Sequence, residues 1–278
     1  PGSLYAPTSS QLDFFGTGVP YWYYISGNNI QKQQVPSKSS METQLANFIE
    51  KNIDKCNLNE SFFEQDFEIT QGTPSTKVKI NNKDIDVSLT MDLSISKGED
   101  SSIFKNHEVV VNSKLGEFYN LARKIYDSER KNKFLENYGV DVMRLYAPVD
   151  GVEFTCSPKV WSKEEIRANL EEALQANTQF IKVQGDYYSL NSKTDEYFVQ
   201  NIGQSVNENV NFIYSPRWPT KIEIYPSEEV LIAEPVGNQP GLGVLGFCYV
   251  PYHFVYDLNY PVLIQIYNDE ETFQFPVA

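Results

Sequence analysis

Across residues 84–95 apolar and polar side chains alternate without a break. Ile85, Val87, Leu89, Met91, Leu93 and Ile95 are interleaved with Asp84, Asp86, Ser88, Thr90, Asp92 and Ser94. Period two is the repeat of a strand with one face on a core and the other in water. Before it, Phe67 and Ile69 alternate with acids, and Val78 and Ile80 lead into Asn81-Asn82. Asparagine tolerates the left-handed backbone of a tight turn, so that pair predicts a reversal. After it, Lys97-Gly98-Glu99-Asp100 predicts a second reversal, and residues 107–111 a further strand. The pattern is that of an antiparallel meander covered on one face only.

Helical spacing brackets these strands. Met41, Leu45, Phe48, Ile49 and Ile53 share one helix face, and Ser39 with Glu42 forms a capping-box pattern ahead of them, so a helix is expected to about Cys56. Leu115, Phe118, Ala122 and Ile125 recur at three and four, with Arg123, Lys124, Arg130 and Lys131 placed late, where they complement the helix dipole. A continuation through Phe134, Leu135 and Tyr138 is expected to stop at Gly139. After an irregular entry over residues 4–38, residues 4–147 therefore read as one α-β-β-β-α domain, its helices packed on one face of the sheet.

Pro148-Val149-Asp150-Gly151 marks the expected boundary of a second domain, residues 148–278. Ser162 and Glu165 open its single helix, with Ile166, Leu170, Ala173 and Leu174 as the buried face. Short strands are expected at 180–183, 197–199, 210–214, 222–225 and 230–233, and a hairpin at 262–267 and 272–275. The class is α+β: helices on an antiparallel sheet in the first half, a mainly β second half with one helix.

Composition narrows the partners. The chain of 278 residues carries a net charge of −14, and residues 151–278, with 17 acids and 7 bases, hold −10 of it. Phosphate-rich partners need a basic face, so nucleic acid and anionic membrane are excluded as partners. No run approaches the ~18 apolar residues of a membrane-spanning helix. Aromatics are abundant, with 18 Tyr and 17 Phe against 3 Trp. Two clusters are candidate binding surfaces for protein or glycan, because tyrosine offers rigid contact area with a polar tip, and the alternative is that they pack over the core and hydrogen-bond at its rim. They are Tyr21, Trp22, Tyr23 and Tyr24, then Tyr249, Tyr252, Tyr256 and Tyr260.

The motifs that could carry catalysis fail on context. Gly241, Gly243 and Gly246 match a dinucleotide fingerprint letter for letter, yet Asn238-Gln239-Pro240 precedes them and aromatics with Pro251 follow, so a glycine loop is expected. Ser94 and Lys97, and Ser102 and Lys105, match S-x-x-K without its companion motifs. His253 with Asp257 could pair as base and orienting acid, and Cys248 lies near in sequence, but a strand turns positions 248 and 253 to opposite faces. Asp84 and Asp86 read as surface acids rather than a calcium site, and cysteines 56, 156 and 248 contain no C-x-x-C for zinc. No catalytic residue, metal or cofactor is expected. One glycosylation sequon is present, Asn59-Glu60-Ser61.

Three stretches together resemble a known group. They are Val19-Pro-Tyr-Trp-Tyr-Tyr24 before the helix ending at Cys56, then Trp218-Pro-Thr-Lys-Ile-Glu-Ile224, and above all residues 245–262 around Cys248, LGFCYVPYHFVYDLNYPV. They resemble uncharacterised archaeal cell-surface proteins of small-genome lineages, which carry one N-terminal membrane helix and a large ectodomain. The resemblance implies an extracellular, membrane-anchored location and contributes no catalytic residues. Pro1-Gly2-Ser3 reads as a cloning scar and residues 273–278 as an interrupted strand, so this sequence is expected to be a segment of a longer protein. Cys156 and Cys248 lie in the same half in strand-like stretches and are the expected disulfide; three free thiols in a reduced protein are the alternative. The resemblance adds a cysteine upstream of residue 1 as the partner of Cys56. The expected role is a non-enzymatic ectodomain for adhesion, envelope scaffolding or partner recognition. The alternatives are a glycan- or peptide-binding module and an envelope hydrolase.

Overall fold

The computed structural model describes residues 7–56, 66–184, 197–237 and 240–278. The fold mixes helices and strands, compatible with the α+β class. It divides into two compact units, Pro1–Arg123 with Asp269–Phe273 and Lys124–Asn268 with Gln274–Ala278. The junction expected at residues 147 and 148 lies inside the second unit.

In the first unit the expected irregular entry is instead two small antiparallel hairpins. β1 (Gln11–Phe14) pairs with β2 (Thr17–Pro20), and β3 (Tyr23–Ile25) with β4 (Gln31–Gln33). Strands of three or four residues are too short to show a period. The first turn depends on Phe15 and Gly16, both at positive φ (51° and 79°), the geometry that matches the twist of a two-residue hairpin.

Helix α1 (Lys38–Asn52) is capped by Ser37, whose hydroxyl accepts the Ser40 N–H at 3.1 Å, and not by Ser39. Glu42 is therefore free of the expected box and is used elsewhere. β5 (Glu68–Gln71), β6 (Ser75–Ile80), β7 (Asp84–Lys97) and β8 (Asp100–Asn112) form an antiparallel sheet. β7 is its centre, with β5 and β6 along one side and β8 along the other. The alternation in β7 holds only at its centre: Leu89 and Met91 are buried and Thr90 and Asp92 exposed, while residues 84–88 and 93–96 are half-buried whichever face they occupy. A bulge between Thr90 and Leu93 interrupts the register with β8. Gly98 at φ 61° and Glu99 close the hairpin as expected.

Helix α2 (Leu115–Asn132) carries the chain from the first unit into the second. Phe118, Ala122 and Ile125 are fully buried, which confirms the face read from their spacing. Lys133, in the left-handed region at φ 52°, ends α2, and α3 (Phe134–Tyr146) follows. Gly139 does not stop this helix. It lies inside it, where an added Cβ would stand 2.9 Å from the Tyr260 hydroxyl and 3.1 Å from its ring. The glycine is thus a close-packing position and not a cap.

The second unit continues with β9 (Asp150–Phe154), β10 (Lys159–Ser162), α4 (Lys163–Thr178), β11 (Lys182–Val183) and β12 (Val199–Gln200). Then come β13 (Asn209–Ile213), β14 (Lys221–Tyr225), β15 (Val230–Ala233), β16 (Tyr249–His253), β17 (Val255–Asn259) and β18 (Val262–Tyr267); the last strand, β19 (Thr272–Val277), has its first two residues in the first unit and the rest in the second. Its antiparallel pairs are β9 with β16, β10 with β15, β13 with β18 and β14 with β17; β11 and β12 pair parallel. Ser162 caps α4 as expected, accepting the Glu165 N–H at 3.4 Å. Its apolar face closes a core of Ile166, Leu170, Ile222, Ile224, Leu231 and Phe254. The Lys163 ammonium is buried beside that core and donates to the carbonyls of Ile224, at 2.8 Å, and Pro226.

Candidate functional site

Cys156 and Cys248 form a disulfide, with Cα atoms 4.1 Å apart, and Cys56 is a free, exposed thiol. The bridge lies just past the end of the β9–β16 ladder, whose last pair is Phe154 with Tyr249. It removes Cys248 from any role as a nucleophile. It also anchors the strand that presents Tyr252.

Tyr252 is one wall of an open cleft of about 370 Å³. The cleft is lined by the end of α3 (Arg144, Leu145, Tyr146), by Trp161 of β10, by Glu165 and Asn169 on one face of α4, and by Tyr252 of β16. Each wall has a local cause. Trp161 lies opposite Leu231, which is fully buried, so its strand is fixed against the core while the indole stays half-buried. Glu165 and Asn169 are four apart on α4 and so project side by side. Tyr252 lies opposite Gly151, where an added Cβ would stand 2.6 Å from the tyrosine oxygen. Any larger residue at 151 would push the ring out of place.

The rings form a cluster. Trp161 and Tyr252 have centroids 5.0 Å apart, and both pack near Phe254, at 5.7 and 6.0 Å. The Lys159 ammonium stands 5.7 Å from the centre of the Trp161 ring. Partial burial, then the charges of Glu153 and Asp150, hold the Tyr252 hydroxyl above its usual range, so it remains a neutral donor. The exposed lining is mostly polar, with donors from Arg144, an acceptor from Glu165 and both from Asn169, and the rings of Trp161 and Tyr252 add only a small apolar area. Such a lining matches the hydrogen-bonding pattern of hydroxyl or amide groups.

No family model matches the sequence, and comparison with curated proteins and with solved structures yields no match.

The other expected site residues scatter. Tyr21, Trp22 and Tyr23 are buried, so the first aromatic cluster is core and not a binding patch, and Tyr24 is half-buried. Trp22 is only 3% exposed and meets Tyr119 and Phe273 edge-on at 6.1 and 6.0 Å. Burial alone pushes the Tyr21 hydroxyl up to about 12. In the second cluster Tyr249 packs edge-on against Phe154, Tyr256 donates to the Pro148 carbonyl at 3.1 Å, and Tyr260 donates to the Leu135 carbonyl at 3.3 Å. The last two hydroxyls serve the fold, and only Tyr252 lines the cleft.

His253 is exposed, and His107 Nε2 is 3.0 Å from the Met91 carbonyl at the bulge. Asp84 and Asp86 both accept from the Asn81 amide, at 2.6 and 2.9 Å. Among the described residues no cluster of His, Cys, Asp and Glu is arranged for a metal ion. Gly241 and Gly243 adopt positive φ, 87° and 55°, and a short 3₁₀ turn (Gly243–Cys248) follows them in place of an α-helix. The sequon Asn59-Glu60-Ser61 lies outside the described residues. Sequence reasoning missed Trp161, Arg144 and Asn169, which sit far apart in the chain. The one available signal was a tryptophan placed directly before the Ser162 cap.

Proposed function

We propose that this chain is part of the ectodomain of a cell-surface protein of the archaeal type its sequence resembles, and that it acts by binding a partner rather than by catalysis. The observation that carries the reading is the Trp161–Tyr252 cleft. The Cys156–Cys248 bridge fits an oxidising, extracellular compartment. Among the described residues no helix is long and apolar enough to cross a membrane.

The ligand class favoured by the cleft is a glycan. A pyranose ring lays its C–H face on Trp161 or Tyr252 and offers its hydroxyls to Arg144, Glu165 and Asn169. Glu165 is the one carboxylate in the described lining, whereas glycoside hydrolysis uses a pair. This favours binding over the hydrolase alternative.

The test is a glycan and envelope-protein array, followed by calorimetry on any hit. Asn169→Ala and Trp161→Phe should each weaken a glycan hit by about tenfold, roughly one lost contact, with unfolding midpoints unchanged. A hit that both variants bind as tightly as the parent would remove the cleft from the account. Turnover of a glycan by the purified chain would replace binding with catalysis.

A further inference from the structure

The two sides of the first-unit sheet are finished differently. On the β6 side, α1 lies along the strand, and Glu42 and Glu50 accept its outward N–H groups at Ile80 and Thr76. On the other side β8, among the described strands, pairs with β7 alone and extends for 13 residues. All of it is exposed except His107. Ile103, Val109 and Val111 stand on one face of β8, and Phe104 and Val110 on the other; all five are exposed, Val110 at 62%. A long, open, apolar edge is a template for another strand. A helix docking on one face would leave the other bare, whereas a strand added in the plane of the sheet covers both.

We infer that β8 is a self-association edge, pairing antiparallel with β8 of a second copy about a two-fold axis at His107. Pairing of identical antiparallel strands puts one residue opposite itself, which limits the registers to a few. With Asn106 at the centre, Glu108 would face Phe104, and Val110 and Val111 would face Ser102 and Ser101. With Glu108 or Lys105 at the centre, like charges would face each other, which is unfavourable. With His107 at the centre, Ile103 faces Val111 on one side of the sheet and Phe104 faces Val110 on the other. Lys105 lays its aliphatic stem against Val109, and Asn106 faces Glu108. Apolar thus meets apolar on both faces and no like charges oppose. The His107 ring is turned to the Met91 carbonyl at the bulge, which leaves its strand position open at the axis. Pairing over residues 102–112 is a strip about 37 Å long. It buries on the order of 1,000 Å² in total, enough for a specific but modest dimer.

The test uses the full chain with Cys56→Ser, so that the one exposed thiol does not interfere. Sedimentation should show a monomer–dimer equilibrium over the range of about 1–200 μM, a span suited to interfaces of this size. Val110→Lys, an exposed position that leaves the fold intact, should abolish the dimer. Under mild oxidation His107→Cys should cross-link to its own copy about tenfold faster than Asn106→Cys. Opposed residues lie within disulfide reach and diagonal ones beyond it. A monomer throughout that range would overturn the proposal, as would a dimer unaffected by Val110→Lys. Faster cross-linking at 106, or capture of an unrelated extended peptide by β8 with no self-pairing, would overturn it equally.

Discussion

The Glu42 carboxylate accepts the backbone N–H of Ile80 at 2.9 Å, from a helix onto the open side of a strand. Two turns further along α1, Glu50 does the same for Thr76 at 2.6 Å. Ala46, midway between them on the helix, is buried and lets α1 approach. Strand edges expose unpaired donors that invite pairing with other chains. Here two charged acceptors at spacing eight satisfy alternate donors of β6. Charge-assisted bonds of this kind are worth about 1.5–3 kcal/mol each. Glu50→Ala should therefore lower stability by about 1–3 kcal/mol in urea unfolding. Glu50→Gln, which keeps a carbonyl acceptor, should lose clearly less. Equal losses for the two would show that the acceptor is not what matters.

Glu129 makes stability depend on pH. It is buried between α2 and the start of α3, accepts the Leu135 N–H at 3.0 Å and the Gln200 amide at 3.2 Å, and stands beside Glu136. Burial, then the hydrogen bond and charge of Glu136, push it up to about 9, against the opposing pull of the Leu135 N–H and Arg130. Its folded value is raised, so the folded state holds a proton that the unfolded chain releases. This contribution is complete below the usual glutamate range and is lost as pH rises to about 9. Stability should fall between those limits, and Glu129→Gln should flatten that fall in a series of denaturant midpoints against pH. An unchanged slope in the variant would assign the pH dependence elsewhere.

Gly139→Ala tests the packing of Tyr260. On propensity alone, alanine inside a helix gains about 1 kcal/mol. The Tyr260 hydroxyl, 2.9 Å from the new methyl, reverses the sign. A net loss of about 1–3 kcal/mol is expected, the range for overpacking. Tyr260→Phe in the same chain should recover part of it. A stabilised Gly139→Ala would mean that the ring moves aside at no cost.

The disulfide closes a loop between positions 92 apart. The chain-entropy account assigns such a loop roughly 4–5 kcal/mol, with measured gains often smaller. Replacing Cys156 and Cys248 with serine should lower the thermal midpoint by several degrees and weaken ligand capture by the cleft. Peptide mapping without reductant should find the 156–248 link and alkylated Cys56. Three alkylated cysteines would remove both the bridge and the argument for an oxidising compartment.

Local signals determined much of this chain. The alternation at the centre of β7, the Ser162 cap, the buried face of α4 and the buried spacing in α2 were all legible, because each depends on neighbours a few residues away. The Cys156–Cys248 pair was also legible, since so few cysteines leave few pairings. Other features depended on contacts between distant residues, which no local pattern encodes. Glu42 looked like half of a capping box and serves a strand 38 residues on; Gly139 looked like a stop and is a hollow for Tyr260. Tyr21, Trp22 and Tyr23 could be read as a binding surface or as core, since an aromatic run has the same composition in either setting, and burial makes them core. The cleft itself joins residues 144, 161, 165, 169 and 252. Only the packing of α3, α4, β10 and β16 on a shared apolar core brings those side chains together, so the tertiary structure alone decided where a ligand could bind.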